Sequence, residues 1–209
     1  MKILLSVLIV LSQIKFFAQT DSVKVTEDRP DAIYPTYNDF RRNNFIGKDQ
    51  LITDFKKDQL DFMSKVMSPE KISYNSPGGV VTLQTKDVWG YYQNKTLYVN
   101  YKGEFFRVPV FGAICYLVAT VSVINSGFYD PTYSYGVNGN RTKEIREFMV
   151  DFYDGFIIDF TMEKAEAMLA RDPALFAEYK GLNRRNRKEQ VNRYIRRFNE
   201  AHPVYFLKY

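Results

Sequence analysis

The spacing of apolar residues divides this chain into stretches of different character. An apolar run from Ile3 to Val10 opens it, behind Met1-Lys2. Residues 19 to about 36 are polar, carry Pro30 and Pro35 and show no period. They predict an extended leader, with the folded part opening at Tyr37-Asn38-Asp39-Phe40. From Lys48 to Met67 the apolar residues Ile52, Phe55, Phe62, Met63 and Val66 fall near helical spacing, and Pro69 closes the segment. That pattern predicts a helix.

The middle of the chain switches to strand-like patterning. Val80 to Gln84 alternates after Pro77-Gly78-Gly79. Val88 to Gln93 and Thr96 to Tyr101 flank Asn94-Lys95, a two-residue hairpin signal. Lys102-Gly103 makes a second tight turn into Glu104 to Phe111, where Pro109 suggests an edge or a bulge. A last apolar run covers Ala113 to Ile124. Together these predict about five antiparallel strands in meander order, as a curled sheet or small barrel. The stretch Val108 to Ile124 is apolar enough to test as a membrane span, but Pro109, Gly112 and its β-branched content favour strand.

Beyond a Gly-, Asn- and Tyr-rich loop over 125–141, Lys143 to Tyr153 reads as a short helix or a strand, and Phe156 to Phe160 as a strand. The C-terminal third is helical. Thr161 is an N-cap, and Ala165, Met168 and Leu169 form an apolar stripe. Asp172-Pro173 restarts the chain as cap plus first helical residue, with Leu175, Phe176, Tyr179 and Leu182 as the next stripe. A third helix over about 184–200 carries Val191, Tyr194, Ile195 and Phe198 on one face, and His202-Pro203 ends it. The predicted class is α+β. A single domain over 37–209 holds a strand-rich part at 78–124 and a C-terminal helical cap at 161–201.

The opening run changes the setting of everything else. One early lysine, a short apolar core and Phe17-Ala18-Gln19 form a secretory signal pattern, with cleavage expected after Ala18. The run is too short to span a bilayer, which needs roughly 20 apolar residues. No cysteine lies near the cut, so lipid attachment there is excluded. The expected address is the periplasm or the cell surface.

Composition narrows the remaining chemistry. The mature chain keeps about 190 residues, and 45% of the sequence is hydrophobic, enough for a real core. Net charge is +5, and losing Lys2 and Lys15 leaves +3, a weak bias that demands no acidic partner. Cys115 is the only cysteine, so no intramolecular disulfide forms. Its apolar neighbours Ala113 to Val118 mark it as a buried small hydrophobe and not a reactive thiol.

Candidate binding residues fall into two groups. The third helix places Arg185, Arg193, Arg196 and Arg197 opposite its apolar stripe, an amphipathic surface face that could meet anionic glycans or other envelope polymers. Export argues against nucleic acid as the partner. Trp89, Tyr91 and Tyr92 could stack on sugars, although aromatic residues in alternation more often fill cores.

Catalytic signals are weak. Asp151, Asp154 and Asp159 lie among aromatics and could form an acid and base pair of the kind that hydrolyses glycans. Asp154-Gly155 is also an ordinary turn dipeptide, and the spacing fits no calcium loop. His202 is the only histidine, placed just past a helix end. No metal or cofactor site is predicted, since zinc sites draw on several His and Cys ligands and Gly78-Gly79 and Gly136 to Gly139 lack the context of a phosphate loop.

Several short motifs together resemble a group of exported proteins of unknown function from Bacteroidota. They are Phe17-Ala18-Gln19, Tyr37-Asn38-Asp39-Phe40, Val88-Trp89-Gly90-Tyr91-Tyr92 and Leu97-Tyr98-Val99-Asn100-Tyr101, then Gly112-Ala113-Ile114-Cys115-Tyr116 and Tyr194-Ile195-Arg196-Arg197-Phe198-Asn199. The resemblance implies export and an α+β architecture and assigns no site. The expected function is therefore a non-enzymatic binding or scaffold protein of the cell envelope, acting on an envelope protein or an anionic glycan. A carboxylate-based glycan hydrolase and a glycan-binding module are the alternatives.

Overall fold

The structure is a computed structural model that describes residues 22–24, 29–125 and 140–207. The expected signal peptide and residues 126–139 of the expected loop lie outside the described residues.

Five strands form the central sheet. They are β2 (Ala32–Tyr34), β3 (Ile46–Gly47), β7 (Gly90–Gln93), β8 (Thr96–Tyr101) and β9 (Glu104–Arg107), in the order β3-β2-β7-β8-β9 and all antiparallel. Turn chemistry sets the register of β7, β8 and β9. Asn94 and Lys95 both adopt positive φ, 49° and 60°, as a two-residue hairpin loop requires. Lys102 and Gly103 repeat the device at 56° and 88°, and Asn100 Oδ1 accepts from the Gly103 N–H at 2.8 Å.

Both faces of this sheet are covered, so successive side chains enter different cores. Ile33, Tyr91 and Tyr98 join one cluster with α2 (Phe62–Val66) and a small sheet of β4 (Leu51–Ile52), β5 (Lys71–Ser76) and β6 (Gly79–Gln84). Ala32, Tyr34, Tyr92, Leu97 and Val99 join the other. That second core is closed by the hairpin of β10 (Ile114–Asn125) and β11 (Asn140–Asp151), by β12 (Ile157–Asp159) and by the C-terminal helices. Double-sided burial explains why β7 is buried at every position.

The α+β class stands, with the helices gathered near the C-terminus. The sheets do not close into a barrel. Three expectations change. The helix over Lys48 to Met67 shrinks to α2, because Ile52 pairs in β4 and Ile52, Phe55 and Leu60 face solvent. Val80 to Gln84 pairs only with β5, and the run Ala113 to Ile124 pairs with β11 in a separate sheet, so the first and last of the five expected strands leave the meander. The expected leader contributes β1 (Ser22–Lys24), paired with the C-terminal β13 (Tyr205–Leu207), and the buried strand β2. Lys143 to Tyr153 resolves as strand β11. The run tested as a membrane span becomes β10, and no helix among the described residues is long and apolar enough to cross a membrane.

The helical cap follows its caps and stripes. Thr161 Oγ1 accepts from the Lys164 N–H at the start of α3 (Met162–Leu169). Asp172 does the same for α4 (Pro173–Gly181), and Asn183 for α5 (Arg184–Ala201). Val191, Tyr194, Ile195 and Phe198 are the buried face of α5. Another short helix, α1 (Tyr37–Arg41), starts in a capping box between Thr36 and Asp39 and buries Phe40 in the larger core.

Candidate functional site

A cleft of about 640 Å³ opens where the N-terminal segment, the β7–β8 turn, the end of β9 and α5 meet. Four cationic side chains line it: Arg29, Lys95, Arg107 and Arg196. Glu200 is the only carboxylate among its described lining residues. The volume falls in the range of small-molecule sites, roughly 300–1,000 Å³. Such an excess of one sign in a concave surface focuses the field and concentrates counter-ions.

Arg29 is held by aromatic faces. Its guanidinium lies 3.6 Å from the centroid of Phe206, 5.3 Å from Phe40 and 5.7 Å from Tyr92. All three rings are nearly fully buried. Among the described residues Arg29 makes one hydrogen bond, a long one, Nη1 donating to the Tyr34 hydroxyl at 3.4 Å, and Nη2 is buried without an acceptor. Burial lowers the pKa of this guanidinium, and the Tyr34 hydroxyl partly opposes that effect. The group is desolvated, positive and short of acceptors, the condition in which an added anion is most rewarded.

Arg107 and Arg196 are exposed and make no ion pair among the described residues. The other arginines of α5 are differently engaged. Arg197 forms a two-pronged pair with Glu178 at 2.5 and 2.6 Å, and Tyr194 donates to the same carboxylate at 2.9 Å. Arg185 pairs with Glu189 one turn along at 2.9 Å. Arg187 and Lys180 both reach Glu166, at 3.0 and 2.9 Å, which ties α3 to α4 and α5. Arg193 is exposed and does not line the cleft. Of the four arginines expected to meet a ligand, only Arg196 lines the cleft. The stripe identified the exposed face of α5, but which cations are neutralised depends on acids from α3 and α4.

The aromatic candidates do not form a platform. Tyr91 and Tyr92 are 4% and 6% exposed and point into opposite cores. Tyr91 stacks on Tyr98 with ring centroids 4.7 Å apart, and Tyr92 lies beneath Arg29. Trp89 is half-buried against Tyr37 and Phe40. Alternation along β7 sends Tyr91 and Tyr92 to opposite faces, and Trp89, just before the strand, packs against the core that holds Tyr92.

The acids expected as a catalytic pair have structural duties. Asp151 is buried, pairs with Arg171 and accepts from the Tyr153 N–H at 3.0 Å. Asp154 accepts from the Phe156 N–H at 2.9 Å across a turn closed by Gly155 at φ +75°. Asp159 lies in the edge strand β12. None of the three lines the cleft. His202 packs against the Phe198 ring at a tilt and places Nε2 3.0 Å from the Asp172 carboxylate, clamping the end of α5 to the cap of α4. Cys115 is buried, and desolvation pushes its thiol up to about 12. No cluster of His, Cys, Asp and Glu that could hold a metal occurs among the described residues.

No protein-family model matches this chain, and no curated protein or solved structure is significantly similar to it.

Proposed function

We propose that this is an exported binding protein of the cell envelope whose cleft takes an anionic glycan. One observation carries the reading: among the described lining residues four are basic and one is a carboxylate, and the buried Nη2 of Arg29 has no acceptor. Structural arginines are normally paired, as Arg171, Arg187 and Arg197 are here. The three cleft arginines, Arg29, Arg107 and Arg196, make no ion pair among the described residues, and they favour a ligand that supplies negative charge.

The three arginines of the cleft come from three separate parts of the chain, so the site exists only in the folded protein. Arg29 is held among buried rings, whereas Arg107 and Arg196 are exposed side chains of the same lining. An arginine fork matches a carboxylate or phosphate in two-point geometry, which a lysine does not.

The test is titration calorimetry of the mature chain with an acidic polysaccharide at several salt concentrations. Binding weakens as salt rises. Combined Arg29→Gln, Arg107→Gln and Arg196→Gln abolishes it, whereas Arg185→Gln with Arg193→Gln leaves it intact. Equal binding by both sets of variants would overturn the cleft as the site. Retention of Met1 in protein taken from the native host's cytoplasm would overturn export.

A further inference from the structure

We infer that Glu200 selects, within the anionic class, for ligands that also carry hydroxyl donors, so that the cleft takes acidic sugars in preference to plain polyanions. This rests on the reading of the cleft as an anion site. Glu200 lines the same concavity as Arg29, Lys95, Arg107 and Arg196. It is exposed and stands one helical turn beyond Arg196, the spacing at which an ion pair forms readily. Yet no ion pair joins Glu200 to any cation among the described residues, although every other charged residue described in the lining is basic.

An unpaired carboxylate in an anion site acts in two opposite ways. It repels a ligand whose only polar groups are negative. It accepts strongly from a ligand hydroxyl, because hydrogen bonds to a charged acceptor are among the stronger ones in proteins. A hexuronic acid presents both groups on one ring: a carboxylate for the arginines and hydroxyls for Glu200. Asn199, the neighbouring polar side chain, cannot serve instead, since its amide is committed to the backbone of Ile114 at 2.8 Å on both sides. Thr96, also in the lining, adds a second hydroxyl partner for a sugar.

The decisive comparison uses two probes with the same charged group, a short oligomer of hexuronic acid and a polyacrylate of similar charge, which lacks hydroxyls. The wild-type chain binds the uronate more tightly. Glu200→Gln lowers uronate affinity by about tenfold, the scale of one charge-assisted hydrogen bond, and raises polyacrylate affinity. An unchanged melting temperature for the variant certifies its fold. If Glu200→Gln moves both affinities in the same direction, or moves neither, the selectivity role is wrong while the anion site stands. If the wild-type chain binds neither probe, the anion site itself fails and the inference fails with it.

Discussion

Asn199 completes the backbone hydrogen bonding of Ile114: its Oδ1 accepts from the Ile114 N–H and its Nδ2 donates to the Ile114 carbonyl, both at 2.8 Å. The amide stands in for a neighbouring strand where β10 begins. Gly112 makes the approach possible, since a Cβ there would overlap the Asn199 side chain. Two motifs far apart in the chain thus explain each other's residue types.

Asn199→Ala leaves two buried backbone groups without partners and lowers stability by about 2–4 kcal/mol. Gly112→Ala in the wild-type background is also destabilising. Combined with Asn199→Ala it costs less than the sum, because the part of the overlap that involves the Asn199 amide has been removed, although the residue's Cβ stays. Urea denaturation of the four proteins in the cycle measures the coupling, and strict additivity would count against the contact.

Phe206→Leu keeps every charge in the cleft but removes the ring beneath Arg29. Anion affinity falls by about threefold to tenfold, the scale of a partly desolvated cation–π contact. Calorimetry with the acidic polysaccharide reads the change. Undiminished affinity would mean that Arg29 needs no aromatic support.

The pairing of Glu178 with Arg197 predicts an acid-side transition. The arginine, with Tyr194 adding a hydrogen bond, lowers the Glu178 pKa from 4.5 to about 2. A carboxylate depressed on folding contributes stability above its unfolded pKa and loses it as pH falls through the folded value. The α4–α5 contact therefore weakens between about pH 4.5 and pH 2. Stability against pH flattens over that window in Glu178→Gln, and a wild-type curve already flat there would contradict the pairing.

Gly155 sits at φ +75° with the ring of Tyr37 packed where a side chain would be. Gly155→Ala pays for both the backbone conformation and the overlap, and stability falls by at least about 2 kcal/mol. Thermal unfolding measures it. A neutral result would show that the Tyr37 ring is free to leave.

Cys115 resists modification in the native state. With its thiol raised to about 12 and its side chain enclosed, a maleimide labels it only on unfolding. The labelling rate therefore tracks denaturant concentration, and prompt labelling of native protein would be inconsistent with this burial.

Local signals made part of this architecture legible. Asn94-Lys95 and Lys102-Gly103 announced their hairpins because turn chemistry acts over a few residues. Thr161, Asp172 and Pro173 marked helix starts for the same reason. The segment over 48–67 misled because Ile52, Phe55, Phe62, Met63 and Val66 share a helical period by position, yet only the last three are buried. Periodicity records spacing and not which residues find a partner surface. The cleft was harder still. Arg196 stood out on the charged face of α5, but Arg29 lies in a proline-bearing polar stretch with no motif around it. Its role depends on Phe206, close to the other end of the chain.

The clasp of β1 on β13 has a consequence for the order in which the protein matures. Ser22–Lys24 can settle only after Tyr205–Leu207 has been delivered, and Arg29 finds its ring only then. A nascent chain that has not yet reached Tyr205 lacks both the partner of β1 and the ring beneath Arg29. Completion of the cleft therefore waits for Phe206, and a product terminated before it would leave Arg29 without its aromatic support.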